Sequence, residues 1–283
     1  MTIREALLSA EKQLSDAGVP DPRIDAQWMM EFVTGLGRIQ LKLQSANELT
    51  PEQEQRFASL LLSRAKREPV QYLLGEQYFY GLRFQVSPAV LIPRQETEEL
   101  CEWGLSFVKK HPSPRVLDLC TGSGAIAVTL AHRCPQAQVT ASDLSADALK
   151  VARQNADMNG VSVRFLQGDL WEPLSGMNFD LILSNPPYIP TEDCKTLQPE
   201  VMREPVMALD GGQDGLDFYR RIAEKAQEHL APGGMIAVEL GVGEAEEVAE
   251  MFRRAGLVDV TIRKDLYGVE RMAGAKRRSE NDV

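Results

Sequence analysis

Residues that hold metals or form disulfides are scarce in this chain. Its 283 residues include four cysteines and three histidines. The cysteines are widely and irregularly spaced, with no Cys-x-x-Cys pair, at Cys101, Cys120, Cys134 and Cys194. Such spacing is typical neither of a disulfide framework nor of a zinc site. We therefore expect reduced thiols and no bound metal.

Long apolar runs and an excess of positive charge are also lacking. No stretch approaches the roughly 20 apolar residues that span a bilayer, and the segment from Met1 to Glu5 lacks the apolar centre of a signal peptide. We therefore expect a cytoplasmic protein that has no membrane partner. The formal net charge of −10 opposes binding to a phosphate backbone, because proteins bind it largely through Lys and Arg. A direct nucleic-acid substrate is thus disfavoured.

What is present is the composition of a globular protein with room for two domains. Hydrophobic residues make up 43% and charged residues 25% of the chain, which is ordinary for a globular protein. Helical periodicity begins at once, and Thr2 with Glu5 forms a capping-box pattern. An apolar helical face is indicated by large side chains that recur every four residues, Ile24, Trp28, Phe32 and Leu36, with Met29 and Val33 alongside. We predict a small helical bundle at residues 1–75, with Trp28 in its core.

Strands and helices alternate after this bundle. Residues 76–94 contain two short aromatic-rich strands on either side of Gly81 and predict a β-hairpin linker. Seven further strands, separated mostly by helices, are predicted at Val116–Leu119, Val139–Ser142, Val163–Gln167, Phe179–Ser184, Met235–Leu240, Val258–Ile262 and Arg271–Ala275. Alternation of this kind is typical of α/β folds. We predict a doubly wound, seven-stranded, Rossmann-like domain at residues 95–283.

A glycine-rich loop follows the first strand of this domain. The strand contains Asp118, and the helix after the loop begins at Ala125. The loop itself consists of Cys120, Thr121, Gly122, Ser123 and Gly124. Its glycines allow the backbone to approach a ligand closely at the helix N-terminus. With Ala127 the pattern reads Gly-x-Gly-x-x-Ala, which NAD enzymes share and which is a weak indication by itself.

Two acidic residues end the next strands. Asp143 lies 21 residues after Gly122, where a carboxylate can accept both hydroxyls of a ribose in NAD or in S-adenosyl-L-methionine. A helix cap is the alternative role for Asp143, but Ser145 is better placed for capping. Asp169 could accept an adenine amine, with Leu170 covering the ring, and its alternative is an ordinary strand-end turn.

The most informative motif comes after the fourth strand. Asn185, Pro186, Pro187 and Tyr188 follow the apolar run Phe179–Ser184, which is typical of a buried strand. Because prolines cannot extend a strand in mid-sheet, the chain must turn out at the carboxyl end, where α/β sheets bind ligands. Asn185 and the Pro186 carbonyl then offer acceptors to a planar NH2 group that lies against Tyr188. For Asn-Pro alone a plain turn would be the better interpretation.

Together the strand ends favour methyl transfer over hydride transfer. A dehydrogenase needs a polarising His, Lys or Tyr near the nicotinamide, and the three histidines fall away from the strand ends. We therefore predict S-adenosyl-L-methionine as the cofactor and an amide or an exocyclic base amine as the methyl acceptor. An NAD-dependent dehydrogenase is the weaker alternative.

The chain resembles the PrmC/HemK family over nearly its whole length. The resemblance rests on the helical N-terminal region and on these motifs: Leu91-Ile92-Pro93-Arg94, Glu96-Thr97-Glu98, Asp118-Leu119 with Thr121-Gly122-Ser123-Gly124, Asn185-Pro186-Pro187-Tyr188, and Glu204-Pro205 with Gly211-Gly212 and Asp214-Gly215-Leu216. Members of that family methylate the glutamine of the Gly-Gly-Gln motif in class I peptide chain release factors. The resemblance implies a protein-(glutamine-N5) methyltransferase of translation termination, with a release factor as its partner.

This resemblance also implies roles for the strand-end residues. Catalysis is expected from Asn185, Pro186, Pro187 and Tyr188. Cofactor binding is expected from the glycine loop, Cys120 to Gly124, together with Asp118, Asp143, Asp169, Leu170 and Asn185. The region 1–75 holds no catalytic constellation, so its role is either packing or partner docking, and we expect it to dock the substrate protein. We also expect a monomer.

Two positions depart from the family pattern. Gln95 stands where proline is usual, and Cys120 stands where glycine is most common. Neither change removes a donor or acceptor used above.

Gly211-Gly212-Gln213 repeats the substrate tripeptide, and we interpret this repetition as a coincidence. The alternatives for function are methylation of an exocyclic base amine and a non-catalytic module that binds release factors.

Overall fold

The computed structural model describes residues 1–279. The chain divides into two compact units. The first comprises Met1–Glu76 and Gln198–Arg203, and the second comprises Gln77–Leu197 and the chain from Glu204 onward. A short segment from the second half of the sequence therefore belongs to the N-terminal unit.

Helices dominate the first unit. They are α1 (Ile3–Asp16), α2 (Pro22–Thr34), α3 (Arg38–Leu43), α4 (Pro51–Ala65) and α5 (Val70–Leu74). The capping box predicted before α1 is confirmed, because Thr2 Oγ1 accepts from Glu5 N at 3.3 Å and the Glu5 carboxylate accepts from Thr2 N at 2.9 Å. Within residues 1–279, no helix is both long enough and apolar enough to cross a membrane.

The predicted apolar face of α2 is confirmed for Met29 and Val33 but wrong for Ile24 and Trp28. Ile24 is 48% exposed and Trp28 is 38% exposed, so Trp28 is not a core residue. The apolar side chains of α2 that the bundle buries are Ala26, Met29, Met30 and Val33. These four follow the i, i+3, i+4, i+7 spacing of a helical face, whereas an exact four-residue repeat drifts around a helix of 3.6 residues per turn. Ile24 and Trp28 therefore lie at the surface, while Phe32 and Leu36 are partly buried against the core of the bundle.

A buried ion-pair network ties the segment 198–203 to the rest of the first unit. Arg64, itself buried, donates to Asp25 Oδ2 at 2.7 Å and lies 2.8 Å from Glu200 Oε1. Arg67 donates to both Glu200 oxygens at 2.6 Å. Burial by itself raises the pKa of Glu200, but the hydrogen bonds from Arg67 and Arg64 outweigh this effect and lower the pKa to about 2. Glu200 therefore stays ionised at neutral pH.

A two-stranded hairpin lies near the start of the second unit. It consists of β1 (Glu76–Phe79) and β2 (Leu82–Gln85). Phe79 and Phe84 meet edge to face with their ring centroids 5.9 Å apart. Gln85 N donates to Asn155 Oδ1 at 2.6 Å, and Asn155 returns a hydrogen bond to Gln85 O at 3.0 Å. These contacts hold the hairpin against the α/β domain.

The described strands after the hairpin form one seven-stranded sheet, as predicted. Their bounds are β3 (Arg115–Leu119), β4 (Gln138–Asp143), β5 (Arg164–Gln167), β6 (Phe179–Ser184), β7 (Leu230–Glu239), β8 (Val258–Lys264) and β9 (Glu270–Lys276). The order across the sheet is β5-β4-β3-β6-β7-β9-β8. Neighbours from β5 to β7 are parallel, and β9 is antiparallel to both β7 and β8.

Helices and two apolar clusters cover the two faces of this sheet. The helices are α6 (Glu96–Val108), α7 (Ala125–Arg133), α8 (Ala146–Met158), α9 (Asp217–His229) and α10 (Ala245–Arg254). One cluster includes residues of α6 and α7, and the other includes residues of α9 and α10. This arrangement confirms the predicted doubly wound α/β fold, in which helices lie on both sides of a mostly parallel sheet.

One strand begins earlier than predicted. β7 starts at Leu230, whereas the sequence predicted a start at Met235. The Pro-Gly-Gly run at residues 232–234 is typical of a turn, but here it lies inside the strand. The structure accommodates this run as a register shift, because Phe179 pairs with Leu230 while Leu181 pairs with Met235.

Candidate active site

The register of the sheet brings the predicted site residues to one edge. Leu119 of β3 pairs with Ser142 of β4 and also with Ser184 of β6, and β5 continues the row beside β4. Asp143, Asn185 and the glycine loop follow directly on these paired positions. Because the strands are parallel, these residues leave the sheet side by side at its carboxyl edge.

The glycine loop turns through left-handed backbone. Cys120 has φ 64° and Gly122 has φ 54°, a region that glycine adopts without strain and that costs other residues about 1–2 kcal/mol. Gly122 N donates to Asp143 Oδ2 at 2.8 Å, and Thr121 N donates to Ser142 O at 3.0 Å. Burial raises the pKa of the Cys120 thiol well above its ordinary value, so Cys120 stays protonated at neutral pH.

Asp118 lies beneath this loop and holds its shape. It is 0% exposed, and its Oδ2 accepts from Thr121 Oγ1 at 2.5 Å and from Ala127 N at 3.0 Å. Burial raises the pKa of Asp118 to about 7, although both hydrogen bonds act to lower it. Asp118 is thus placed to anchor the loop from below.

Asp143 connects the glycine loop to the start of α8. Its Oδ2 accepts from Gly122 N and its Oδ1 accepts from Ser145 N, both at 2.8 Å. Ser145 Oγ accepts from Ala148 N at 3.1 Å, so Ser145 caps α8, as the sequence indicated. Burial raises the pKa of Asp143, while the backbone hydrogen bonds act to lower it. Each carboxylate oxygen retains lone pairs for a further donor.

Asp169 has a cationic neighbour that the sequence did not indicate. Arg221 of α9 donates to Asp169 Oδ2 at 2.7 Å, and both side chains border the cavity described below. Leu170, next in sequence, has φ 46° and is buried against the cavity wall. Arg221 was missed because it lies 52 positions after Asp169 in the sequence and on an amphipathic helix, where a basic residue is usual.

Asn185 is part of a hydrogen-bonded chain that reaches into the protein interior. Its Nδ2 donates to Thr97 Oγ1 at 3.1 Å, and Thr97 Oγ1 donates to Glu239 Oε2 at 2.6 Å. Thr97 is 4% exposed and Glu239 is 3% exposed. Sequence reasoning gave neither residue a role, although Thr97 lies in one of the motifs that carried the resemblance.

These residues surround a cavity of about 440 Å³, within the range of roughly 300–1,000 Å³ typical of small-molecule sites. The predicted residues that line it are Cys120, Thr121, Gly122, Ser123, Asp143, Asp169, Leu170, Asn185 and Pro187. Four predicted residues do not line it, namely Asp118, Gly124, Pro186 and Tyr188. Lining residues that the sequence did not single out for binding include Arg94, Thr97, Met207, Phe218 and Arg221.

Tyr188 packs against the apolar cluster that includes α9 and α10 rather than against the cavity. Gly211, in a second glycine-rich loop, lies close to the Tyr188 backbone. A Cβ at Gly211 would lie 2.7 Å from Tyr188 Cα, which only glycine avoids, and Gly211 N donates to Ile189 O at 2.8 Å. Gln213 is exposed and does not line the cavity. Close packing therefore explains Gly211, and the interpretation of the tripeptide as a coincidence stays a prediction.

The described residues, 1–279, contain no group of three His, Cys, Asp or Glu side chains placed to hold a metal ion. The cavity combines backbone N–H groups at a helix start, the half-buried carboxylates of Asp143 and Asp169, and one amide side chain. Such a set of groups can hold a polar cofactor and orient a neutral NH2-bearing substrate.

Comparisons with known proteins agree with this geometry. Residues 5–75 match the PrmC N-terminal domain family, and residues 105–256 match the methyltransferase small domain family. A solved methyltransferase structure from Pyrococcus furiosus has a TM-score of 0.53 at 21% identity, covering 80% of this chain and 99% of that chain. At that identity the likeness supports the fold alone.

Curated relatives are closer in sequence. A release factor glutamine methyltransferase from Geobacter sulfurreducens is 46% identical over 277 residues, covering 97% of this chain and 96% of the relative. One from Deinococcus radiodurans is 43% identical over 277 residues, covering 98% of this chain and 99% of the relative. With identity at this level over nearly the full length, the chain belongs to the release factor glutamine methyltransferase family.

Proposed function

We propose that this protein transfers a methyl group from S-adenosyl-L-methionine to the side-chain amide N5 of the glutamine in the Gly-Gly-Gln motif of class I peptide chain release factors. The observation that carries the proposal is the position of Asn185, at the carboxyl end of β6 and beside the cavity, with its Nδ2 already engaged by Thr97. Its Oδ1 is then available to a substrate N–H. We further propose that the protein acts as a cytoplasmic monomer.

The residues present fit the proposed cofactor. Asp143 ends the strand next to the glycine loop and can accept ribose hydroxyls while it retains its backbone hydrogen bonds. Asp169, held by Arg221, can accept the adenine amine, and Leu170 supplies an apolar wall beside it. S-adenosyl-L-methionine, when bound, supplies an electrophilic methyl group on a sulfonium.

The chain's contribution to the reaction is placement of the nucleophile. An amide nitrogen is a weak nucleophile because its lone pair is delocalised into the carbonyl. Asn185 Oδ1, at the cavity, would accept a hydrogen bond from one N–H of the glutamine and fix its nitrogen in line with the methyl group. The Pro186 carbonyl, which does not line the cavity, stays the predicted acceptor for the other N–H. Acceptors at these N–H groups also stabilise the positive charge that develops on the nitrogen. No strong base is needed, because the methylated nitrogen is acidic and loses its proton to water.

A labelled-methyl assay tests the function. We expect transfer of label to an intact release factor and none to a factor in which the Gly-Gly-Gln glutamine is replaced by alanine. Adenine- and guanine-containing oligonucleotides serve as the competing substrates. Label on an oligonucleotide would favour methylation of a base amine, and binding of the factor without transfer would favour a non-catalytic module.

Asp143→Ala is expected to weaken cofactor binding. Two ribose hydroxyls would lose their buried acceptor, which should cost about 1–3 kcal/mol in binding free energy. Isothermal titration calorimetry with S-adenosyl-L-methionine measures the loss. Asp147→Ala is the matched control, because Asp147 is an exposed acid on the first turn of α8, the helix that follows Asp143, and its removal should leave the affinity unchanged. Unchanged affinity in Asp143→Ala, or tight NAD binding by the parent protein, would overturn the assignment.

We propose that the first unit docks the release factor. A Gly-Gly-Gln loop buries little surface by itself, so selection of the right glutamine requires contact outside the active site. The exposed side chains of Ile24 and Trp28 on α2 provide apolar surface suited to such contact.

The double variant Ile24→Ser with Trp28→Ala is expected to raise KM for the intact factor about tenfold, equivalent to about 1.4 kcal/mol. The kcat at saturation and the affinity for S-adenosyl-L-methionine should not change, because both side chains lie outside the cavity. Steady-state methylation assays separate KM from kcat. Lys12→Ala, an exposed change on α1, is the control. A double variant with the parent's KM would exclude this face of α2 from docking.

A further inference from the structure

The Asn185 amide has two possible orientations, and only one suits the proposed reaction. With Oδ1 toward the substrate, Asn185 accepts an N–H of the glutamine. With Nδ2 toward the substrate, it presents two N–H donors to a group that is itself a donor. Orientation therefore decides whether Asn185 attracts or repels the methyl acceptor.

The buried chain of Glu239, Thr97 and Asn185 selects one of these orientations. An ionised carboxylate only accepts hydrogen bonds, so the Thr97 hydroxyl must donate to Glu239 Oε2, 2.6 Å away. Thr97 Oγ1 then has only lone pairs left for Asn185. It accepts from Nδ2 at 3.1 Å, and among residues 1–279 no protein group donates to Asn185 Oδ1. Oδ1 is thereby left for the substrate.

We propose that Thr97 and Glu239 are positioning residues, which hold the Asn185 amide with Oδ1 toward the methyl acceptor, and that protonation of Glu239 releases this orientation. The inference rests on the proposed function for its consequence in catalysis, but the orientation itself can be measured separately. In this scheme neither residue contacts the methyl acceptor, although Thr97 also lines the cavity. Each acts through Asn185.

Protonation of Glu239 reverses which group donates in each hydrogen bond between Glu239, Thr97 and Asn185. A protonated carboxyl group carries an O–H donor, which Thr97 Oγ1 can accept. The Thr97 hydroxyl is then free to donate to Asn185, and the amide gains by turning Oδ1 toward Thr97. Nδ2 would face the substrate, and the glutamine would lose its acceptor.

The surroundings of Glu239 place this change near neutral pH. Burial raises the pKa of Glu239 to about 7, although the hydrogen bond from Thr97 acts to lower it. The two nearby cations have carboxylate partners of their own, Arg94 with Glu204 and Arg271 with Asp265. The charged and titratable groups that face Glu239 are Glu96, Arg94, Arg271, Tyr188, Cys101 and Tyr219.

Single-turnover rates against pH test the proposal, with the intact release factor and S-adenosyl-L-methionine both saturating. Because the ionised form of Glu239 is the active one, the parent rate should fall as pH drops below about 7, approaching tenfold per unit. Thr97→Val removes the hydroxyl at nearly constant volume. It should lower the rate at pH 8 about tenfold, the value of one hydrogen bond, and it should abolish the fall at low pH.

Matched variants separate positioning from mere support of the fold. Thr97→Ser retains the hydroxyl and should keep both the rate and the pH dependence. Glu239→Gln cannot ionise and should lose the pH dependence. Glu244→Gln removes another carboxyl whose burial raises the pKa to about 7. Because Glu244 is not part of the hydrogen-bonded chain of Glu239, Thr97 and Asn185, this variant should retain the pH dependence. A fall at low pH that arose from Asp118 would persist in Thr97→Val and would overturn the proposal.

Nuclear magnetic resonance gives a readout that does not depend on activity. The side-chain NH2 signal of Asn185, identified by its absence in Asn185→Ala, should titrate near pH 7 in the parent and not in Glu239→Gln. Absence of that titration in the parent would overturn the proposed role of Glu239 and Thr97, even if the protein methylates release factors. If the Asn185 signal titrates but the protein does not methylate release factors, the role of Glu239 and Thr97 stands and the proposed function is rejected.

Discussion

Asn185→Ala is expected to lower kcat for methylation of the release factor by about 10²–10³-fold, the effect of deleting one oriented catalytic dipole. The affinity for S-adenosyl-L-methionine should stay within a few-fold of the parent, because Asp143 and the glycine loop, which also line the cavity, would still hold the cofactor. The physical reason is that the glutamine nitrogen loses the acceptor that aligns it. Single-turnover kinetics and calorimetry measure the two quantities separately.

Gln213→Ala is the control for this variant. Gln213 completes the internal Gly-Gly-Gln but is exposed and outside the cavity, so its removal should leave kcat unchanged. Near-normal turnover in Asn185→Ala would contradict the mechanism. Loss of turnover in Gln213→Ala would show that the internal tripeptide is not a coincidence.

Arg64→Met is expected to have the largest effect on stability. Arg64 is buried between Asp25 and Glu200, so its loss leaves Asp25 without its cation and Glu200 with Arg67 alone. Breaking a buried ion pair from one side costs about 3–5 kcal/mol, because the remaining charge stays in a medium of low polarity. Hydrogen exchange of the α2 and α4 amides measures the free energy of opening of the first unit.

Arg254→Met provides the comparison for Arg64→Met. Arg254 forms an exposed pair with Glu250 on α10 at 3.0 Å, and solvent screens such pairs so that they contribute little to stability. If Arg64→Met destabilised the protein no more than Arg254→Met does, the network would have no structural role. Because Glu200 lies in the segment 198–203, Arg64→Met should also increase exchange in that segment, although it is 134 positions or more along the chain from Arg64.

The sequence predicted the α/β sheet well and the helical bundle only in outline. Strand positions follow from apolar runs and from residues that interrupt them, and these are local properties of the chain. Ile24 and Trp28 were wrongly assigned to the buried face of α2 because their side chains are large and apolar. Burial depends instead on which side of the helix meets α1 and α4. The early start of β7 was missed for a similar reason, since pairing with Phe179 overrides the turn preference of Pro-Gly-Gly.

The sequence did not predict correctly which charged side chains reach the cavity. Asp118 is a carboxylate at a strand end, as are Asp143 and Asp169, yet it lies under the glycine loop. Sequence cannot separate these cases, because side-chain direction alternates along a strand and the facing partner decides burial. Arg221 was not predicted at all, because its proximity to Asp169 depends on how α9 packs on the sheet.

The sequence by itself determined which residues end the parallel strands, and therefore which groups gather at one edge of the sheet. Glycines, prolines and apolar runs specify these ends through short-range sterics and burial. Only the tertiary structure decided how Asn185 is oriented, because Thr97 lies 88 positions from Asn185 and 142 positions from Glu239. Contacts between residues so far apart in the chain depend on the register of the strands and on the packing of α6 against them, which no local pattern encodes.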